Sequence, residues 1–459
     1  MATPEETLLS KGYRTWLLGV LLTISTFSFI DRVIFSTLSQ SIKQDLGMTD
    51  LQLGWLQGLG FAIPFMVLAL PIGWLAERVS RVGIIAVAIT VWSVATAFCG
   101  ATTNFVQLLF ARIGLGAGEA GFNPSSFSLV SDHYTSERRT SALAIIGLGS
   151  PIGALVGGVL AGYAAQHLGW RTAFVVIGLP GIIAGLVAFF TLKEPPRGLA
   201  EGYKKTKEPA PSLLAVAKVL FTKPTFINVL IGGSLAGAGM SAVGQFSAPY
   251  YIRVFHLSVQ DTGTLHGLIS FVSLGAGMLF GAKIAERAAR KNKKWYALSP
   301  AIGVLVAAPL YAIGFQAPSI WVAAPCILFG GLALFFYYAP ALATVQNLVG
   351  PRMRASAAGF YALVFGLVGT GLGPTLLGTL SDMFAVKAFT AGDLHVMCKG
   401  GRAVAGSTQA VADACAGASA EGIRTALTVI TLLFVWSSIH FLLASRTLAK
   451  DFYTPPAQA

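Results

Sequence analysis

The sequence predicts an all-α integral membrane protein of twelve transmembrane helices in two six-helix, pseudo-symmetric halves. Three observations carry this. Of 459 residues, 54% are hydrophobic and only 11% are charged, against about 25% charged in an ordinary soluble domain. Apolar runs of about 20 residues, the length a helix needs to cross about 30 Å of hydrocarbon, recur along the whole chain. Short stretches of the first half reappear in order in the second.

The runs fall at 15–38, 53–75, 82–101, 105–131, 141–165, 172–192, 225–252, 264–282, 295–315, 319–347, 355–381 and 423–445. They are too long and too continuous for barrel strands of about 10 alternating residues. In lipid only helices and closed barrels satisfy their own backbone, so a helical bundle follows. The polar start "MATPEETLLSKGYR" is no secretory leader, and the run after it is too long for a signal segment. The first run is therefore expected to stay as a membrane helix.

A net charge of +13 invites a nucleic-acid partner, but its distribution does not. With the N-terminus inside, alternating loops place most Lys and Arg on one side, with clusters in Lys193–Pro211 and Lys283–Lys294. That is the positive-inside pattern, and it sets both termini in the cytoplasm of a cell (inner) membrane. Cys99 and Cys326 lie within runs and are read as packing residues. Cys398 and Cys415 share the long loop 382–422 on the opposite side, where a disulfide is compatible with an oxidising exterior.

Six runs precede a Pro/Lys/Glu-rich stretch and six follow it. The expected organisation is an N-terminal bundle over 1–192, a cytoplasmic linker over 193–223 with a short interfacial helix at "SLLAVAKVLF", and a C-terminal bundle over 224–459. "LAERVSR" (Leu75–Arg81) matches "IAERAAR" (Ile284–Arg290), "RTSA" (Arg139–Ala142) matches "RASA" (Arg354–Ala357), and Pro124 matches Pro340, at a near-constant offset. Such parallel repeats build many secondary transporters.

Here the residues reach a known family. "GWLAERVSRVG" (Gly73–Gly83) resembles the loop signature of the major facilitator superfamily, with Glu77 for the usual Asp and Ser80 for the usual second Gly. The resemblance spans the chain. "FIDRVIFSTLSQSIKQDLGMTDLQLGWLQG" and "RIGLGAGEAGFNPSSFSLVSDHY" look like the spinster-like transporters, whose animal members export sphingosine 1-phosphate or lysophospholipids. The anion:cation symporters carry a similar Asp-Arg first helix, and a multidrug-type proton antiporter is a further alternative. The resemblance implies the major facilitator fold, alternating access, and functional roles for Asp31, Arg32 and Glu119.

The residues support those roles independently. Charges inside the runs are few: Asp31, Arg32, Arg112 and Glu119, all in the first half. Each costs at least about 2.5–3.5 kcal/mol at the bilayer centre, so each is expected to face the bundle interior. Arg112 and Glu119 are seven residues apart, which puts them on one helix face about 10 Å apart along the axis. A static ion-pair network would need fewer groups than two acids and two bases. Arg32 and Arg112 suit phosphate or carboxylate recognition by forked hydrogen bonds. Asp31 and Glu119 are the expected proton-coupling pair. His266 and His440 are weaker candidates.

The remaining candidates are softer. Phe122 and Asn123 in the fourth run, with Tyr250, Tyr337, Tyr338 and Gln346 in the second half, are expected to line the substrate pocket. A charged wall opposite an aromatic one suits an amphipathic, anionic, lipid-like substrate. Gly73, Glu77, Arg78 and Arg81, with Glu286 and Arg287 in the second copy, are expected to form a cytoplasmic gate. "GLGSPIGALVGGVLAG" spaces Gly149, Gly153 and Gly157 for close helix crossing, and resembles the superfamily's antiporter signature in part. No His-rich spacing, HExxH or P-loop occurs, so neither an enzyme nor an ATP-driven pump is expected. The expected partners are a small-molecule substrate, protons and membrane lipids. No cofactor, metal or nucleic acid is expected, and the chain is read as a monomer.

Overall fold

The computed structural model describes residues 8–197, 199–200, 213–350 and 353–453. Residues 198 and 201–212 of the sequence-defined linker and the start of "PRMRASA" lie outside the described residues.

The chain opens with α1 (Lys11–Leu46), α2 (Asp50–Gln57), α3 (Leu59–Ala76), α4 (Arg81–Cys99), α5 (Phe105–Glu119) and α6 (Phe122–His133). It continues with α7 (Ser136–Gly147), α8 (Gly149–Gly178), α9 (Pro180–Thr191) and the short α10 (Leu213–Phe221), which falls on the expected interfacial segment. Then come α11 (Pro224–Phe255), α12 (Val259–Lys291), α13 (Trp295–Gln316), α14 (Ile320–Leu334) and α15 (Tyr338–Asn347). The chain ends with α16 (Arg354–Val364), a π-helical stretch (Phe365–Leu372), α17 (Gly373–Ala388), α18 (Leu394–Met397), the hairpin β1 (Cys398–Lys399) and β2 (Arg402–Ala403), α19 (Gln409–Ile430) and α20 (Leu432–Asp451).

Polar residues at the helix ends satisfy backbone groups that the helices leave open. Ser10 and Asn104 cap α1 and α5 with their side-chain oxygens, and Thr49 forms a reciprocal box with Gln52 at the start of α2. Gly47 ends α1 in the left-handed region at φ 63°, where a Cβ would be strained.

Among the described residues, ten helical stretches are long and apolar enough to span a membrane. Two of the twelve sequence runs are hidden in that number by backbone breaks. The stretch Glu137–Thr191 holds two crossings, divided where Gly169 leaves helical geometry at φ 81° and ψ 157°. The run at 105–131 is broken between α5 and α6 around Ala120–Gly121, so neither part reaches spanning length alone. Large apolar side chains such as Trp321, Phe190 and Phe110 stand exposed, as a lipid-facing surface requires.

The chain resolves into two compact units. The first comprises Met1–Met48, Gly60–Lys207 and Leu257–Phe271; the second comprises Thr49–Leu59, Glu208–His256 and Val272–Ala459. These bounds differ from the split read at 193–223, because two helix ends pack away from their sequence neighbours. The α2 segment lies against α17, where a Cβ on Gly378 would fall 3.0 Å from Leu51 Cα. The start of α12 lies against α8, with Gly158 and Gly162 meeting Gly263 backbone to backbone.

Inside the first unit, α1 crosses α8 on the predicted glycine stripe. A Cβ at Gly149 would meet Ser25 Oγ at 2.5 Å, and one at Gly153 would meet Phe29 Cβ and Thr26 O at 2.6 Å. This close crossing fixes the part of α1 that carries Asp31 and Arg32. Beside it, Leu17, Leu21, Ile24, Ile85, Ile89, Trp92 and Leu115 form a buried apolar cluster.

Candidate functional site

The four intramembrane charges come together in the first unit. Glu119 is the last residue of α5, next to the break before α6, and its side chain is 1% exposed. One oxygen, Oε2, accepts three hydrogen bonds: from Arg32 Nη2 at 2.5 Å, Arg32 Nε at 3.0 Å and Ser28 Oγ at 3.0 Å. Its other oxygen is buried without a hydrogen-bond partner among the described residues. Arg32 and Ser28 reach it because they lie one helical turn apart on α1.

Arg32 is the accessible member, with a side chain 31% exposed. Its guanidinium stands over the rings of Phe61, Phe29 and Phe65 at 4.9, 5.4 and 5.6 Å. Arg112, two helical turns before Glu119 on α5, is buried and lies over Phe35 at 4.5 Å and Phe61 at 5.3 Å. Aromatic faces hold cations without neutralising them, and more strongly once water is excluded. Asp31 is also buried, within electrostatic reach of Arg112 and Glu119 and beside Trp92 and Thr96 of α4. Its Oδ1 has no hydrogen-bond partner among the described residues.

Two acids and two arginines thus make a charge-balanced cluster, which is how a low-dielectric site tolerates ionised groups. An anion can compete with Glu119 for the fork of Arg32, and a carboxylate that loses its cation becomes the group to take up a proton. Ser28, Phe61 and Phe65 were missed in the sequence, since nothing in an apolar helix distinguishes a ring facing an arginine from one facing lipid.

The other sequence candidates are dispersed. Phe122 packs edge-on against Trp92 in the apolar cluster, and Asn123 is exposed. Tyr250 is fully buried in the second unit, its hydroxyl donating to the carbonyls of Gly314 and Phe315 at 3.1 and 3.0 Å. Tyr337 is also fully buried, with its hydroxyl 3.8 Å from Met240 Sδ. Tyr338 is 40% exposed and edge-on to Phe365 at the start of the π-helical stretch. Gln346 is half-buried on α15.

Of the expected gate residues, Arg81 stands apart: it is fully buried. It donates to Asp132 at the end of α6, to Glu194 after α9 at 2.6 Å, and to Ser128 at 2.9 Å. It ties three segments of the first unit together. Gly73 lies 3.7 Å from Pro124 as measured from a built Cβ. Glu77 is exposed, as is Arg78, which stacks over Trp74 at 3.5 Å. Glu286 pairs with Arg290 on an exposed turn, and Arg287 is exposed. Asp132 and Glu194 were missed because their partner lies about 50 and 110 residues away in sequence.

A second buried ion pair was also missed. Asp50 and Arg253, 2% and 3% exposed, make a two-pronged pair at 2.7 Å in the second unit. Ser381 donates to Asp50 Oδ2 at 2.7 Å, and Asp382 accepts from the backbone N–H groups of Asp50 and Leu51 at 2.9 and 2.8 Å. Both charges sit at helix ends, where composition reads them as ordinary loop residues.

Apolar spans that gather two acids and two arginines into one charge-balanced cluster inside the first unit are the mark of a membrane transporter. Residues 20–374 match the Major Facilitator Superfamily, and the chain belongs to that family. It is similar to the crystal structure of a bacterial homologue of the human lysosomal transporter spinster in an inward-facing, unoccupied conformation. That match has a TM-score of 0.87 and 28% identity, covering 97% of this chain and 100% of the other. An MFS-type efflux pump of Mycolicibacterium smegmatis is 29% identical over 80% of this chain and 85% of its own length. The sphingosine-1-phosphate transporter SPNS2 of Danio rerio is 26% identical over 79% of this chain and 75% of its own length.

Proposed function

We propose that this transporter moves an amphipathic, anionic, lipid-like substrate by alternating access and couples that movement to protons. The observation that carries the reading is the triple hydrogen bond from Ser28 and Arg32 to Glu119 Oε2. It supports a cycle in which Arg32 and Arg112 receive the substrate's phosphate or carboxylate. Glu119, released from Arg32, and the buried Asp31 then carry the proton. Similarity to a protein named for sphingosine 1-phosphate supports the substrate class. The positive-inside pattern supports an inner-membrane protein with cytoplasmic termini. Phe122 and Tyr250 are packing residues in this reading, whereas Tyr338 and Gln346 remain as pocket residues.

Flux into proteoliposomes under an imposed pH gradient tests it. Asp31→Asn and Glu119→Gln are expected to reconstitute normally but to lose the pH dependence of flux. An unchanged pH response in both variants overturns proton coupling. A second reading, export of diverse drugs by proton antiport, is favoured by similarity to the mycobacterial efflux pump; competition of cationic drugs with a labelled lysolipid separates the two.

A further inference from the structure

The cycle above uses charges of the first unit alone, yet the second unit holds a cavity of its own. A space of about 400 Å³ lies where the last turn of α11 meets one face of α19. α19 supplies Asp413, Gly417, Glu421 and Arg424, and α11 with its cap supplies Arg253 and His256. Asp413, Gly417 and Glu421 follow a four-residue spacing that keeps them on one helix face, with Arg424 a further turn along.

The charges differ in exposure. Arg253 is buried and Arg424 half-buried, whereas Asp413, Glu421 and His256 are exposed. The arginines are the less accessible charges of the lining and the carboxylates the more accessible ones. Arg253 is already neutralised by Asp50. Arg424 is different: its Nε is buried with no hydrogen-bond partner among the described residues. A buried donor left open is costly unless an acceptor arrives.

Two further observations belong to the same place. A Cβ built on Gly417 meets nothing within 4 Å, so the helix leaves open volume beside the charges. His256 caps α11 in the left-handed region at φ 54°, with its backbone N–H donating to Tyr251 O, which turns the chain at the edge of the cavity. The carboxylates retain capacity: Asp413 accepts from Gln409 and Glu421 from Thr425, each through one oxygen.

We propose that this cavity binds a small zwitterion, its carboxylate or phosphate on Arg424 and its ammonium group on Glu421, with Asp413 two turns further along adding negative charge to that end. A simple anion also meets the carboxylates of the lining, and a simple cation also meets its guanidinium groups. A molecule bearing both charges satisfies both ends. Glu421 and Arg424 are three residues apart, about 4.5 Å of helix rise, which calls for a short spacer between the charges. The volume lies within the range of small-molecule pockets.

Calorimetry and thermal unfolding of the full chain in nanodiscs test this, with phosphoethanolamine and β-alanine as zwitterions and inorganic phosphate and ethanolamine as half-ligands. At least one zwitterion is expected to bind saturably and raise Tm, with both half-ligands weaker. Arg424→Gln should weaken that binding about tenfold or more, the effect of losing a hydrogen bond to a charged group. Gly417→Leu should abolish it by filling the open volume, and Glu421→Gln, at an exposed position, should weaken it without changing the unliganded Tm. Absence of saturable binding by either zwitterion, half-ligands that bind equally well, or affinity unchanged in all three variants overturns the proposal.

Discussion

A single oxygen of Glu119 holds Arg32 through both Nη2, at 2.5 Å, and Nε, at 3.0 Å. The geometry ties α1 to the end of α5 through one acceptor, and leaves the second oxygen of Glu119 without a hydrogen-bond partner among the described residues. A guanidinium held on one oxygen can be taken over by a two-oxygen anion that offers it a better fork. The proposed cycle has the pair open in this way.

That property can be measured as a coupling. Arg32→Gln and Glu119→Gln each strand a charge in the cluster, and each should lower Tm of the purified protein. The double variant should lower it by less than the sum. The coupling is expected at about 0.5–3 kcal/mol, the range for residues in direct contact, and toward the lower end because Arg32 is partly exposed. Strictly additive losses would show that the bond does not hold the helices together.

The pair in the second unit should behave differently. Asp50 and Arg253 are both buried, and each nitrogen meets its own oxygen at 2.7 Å. Removing one partner leaves an uncompensated buried charge, a loss of about 3–5 kcal/mol, whereas replacing both with apolar residues is often close to neutral. Arg253→Met alone should therefore unfold the protein at much lower temperature than the Asp50→Leu/Arg253→Met double variant. Equal stability of the two would mean that water reaches the pair.

The sequence made the fold legible because lipid leaves so few options. Runs of spanning length, a repeated loop and a glycine stripe point to helices, to duplication and to a close helix crossing, whose partner, α1, only the structure identifies. The four charges were legible for the same reason: in a helix such as α1, Asp31 and Arg32 have no cause to exist except contact with each other's kind. What stayed hidden depends on distance in the chain. Nothing near Arg81 announces Asp132 or Glu194, and nothing near Asp50 announces Arg253. Aromatic residues were least legible of all, since Tyr250 and Tyr337 read as pocket residues but are buried in packing.

The loop after α17 offers a separate handle on stability. Cys398 and Cys415 form a disulfide across 17 residues, packed with Phe389 and Ala418. Closing a loop of that size stabilises by about 3 kcal/mol in the chain-entropy account. Cys415 is fully buried, so mild reductant should act slowly without denaturant. Cys398→Ser/Cys415→Ser should expose the segment 389–408 to limited proteolysis while transport through the first unit's cluster persists. Resistance equal to that of the parent would show that the apolar cluster alone orders the loop.

The glycine crossing provides the sharpest local test. A Cβ on Gly153 would stand 2.6 Å from both Phe29 Cβ and Thr26 O, whereas one on Gly147 would meet nothing within 4 Å. The first contact includes backbone, so it cannot be relieved by a rotamer change, and α1 must move away from α8. Overpacking of this kind costs about 1–3 kcal/mol, while a Gly→Ala change in open helix surface gains helix propensity. Gly147→Ala should thus leave folding and flux intact. Gly153→Ala should lower Tm and, because Phe29 and Arg32 share α1, should also weaken substrate affinity more than it slows maximal flux. Finding the two alanine variants indistinguishable in both measurements would show that the close approach of α1 and α8 does not position Arg32.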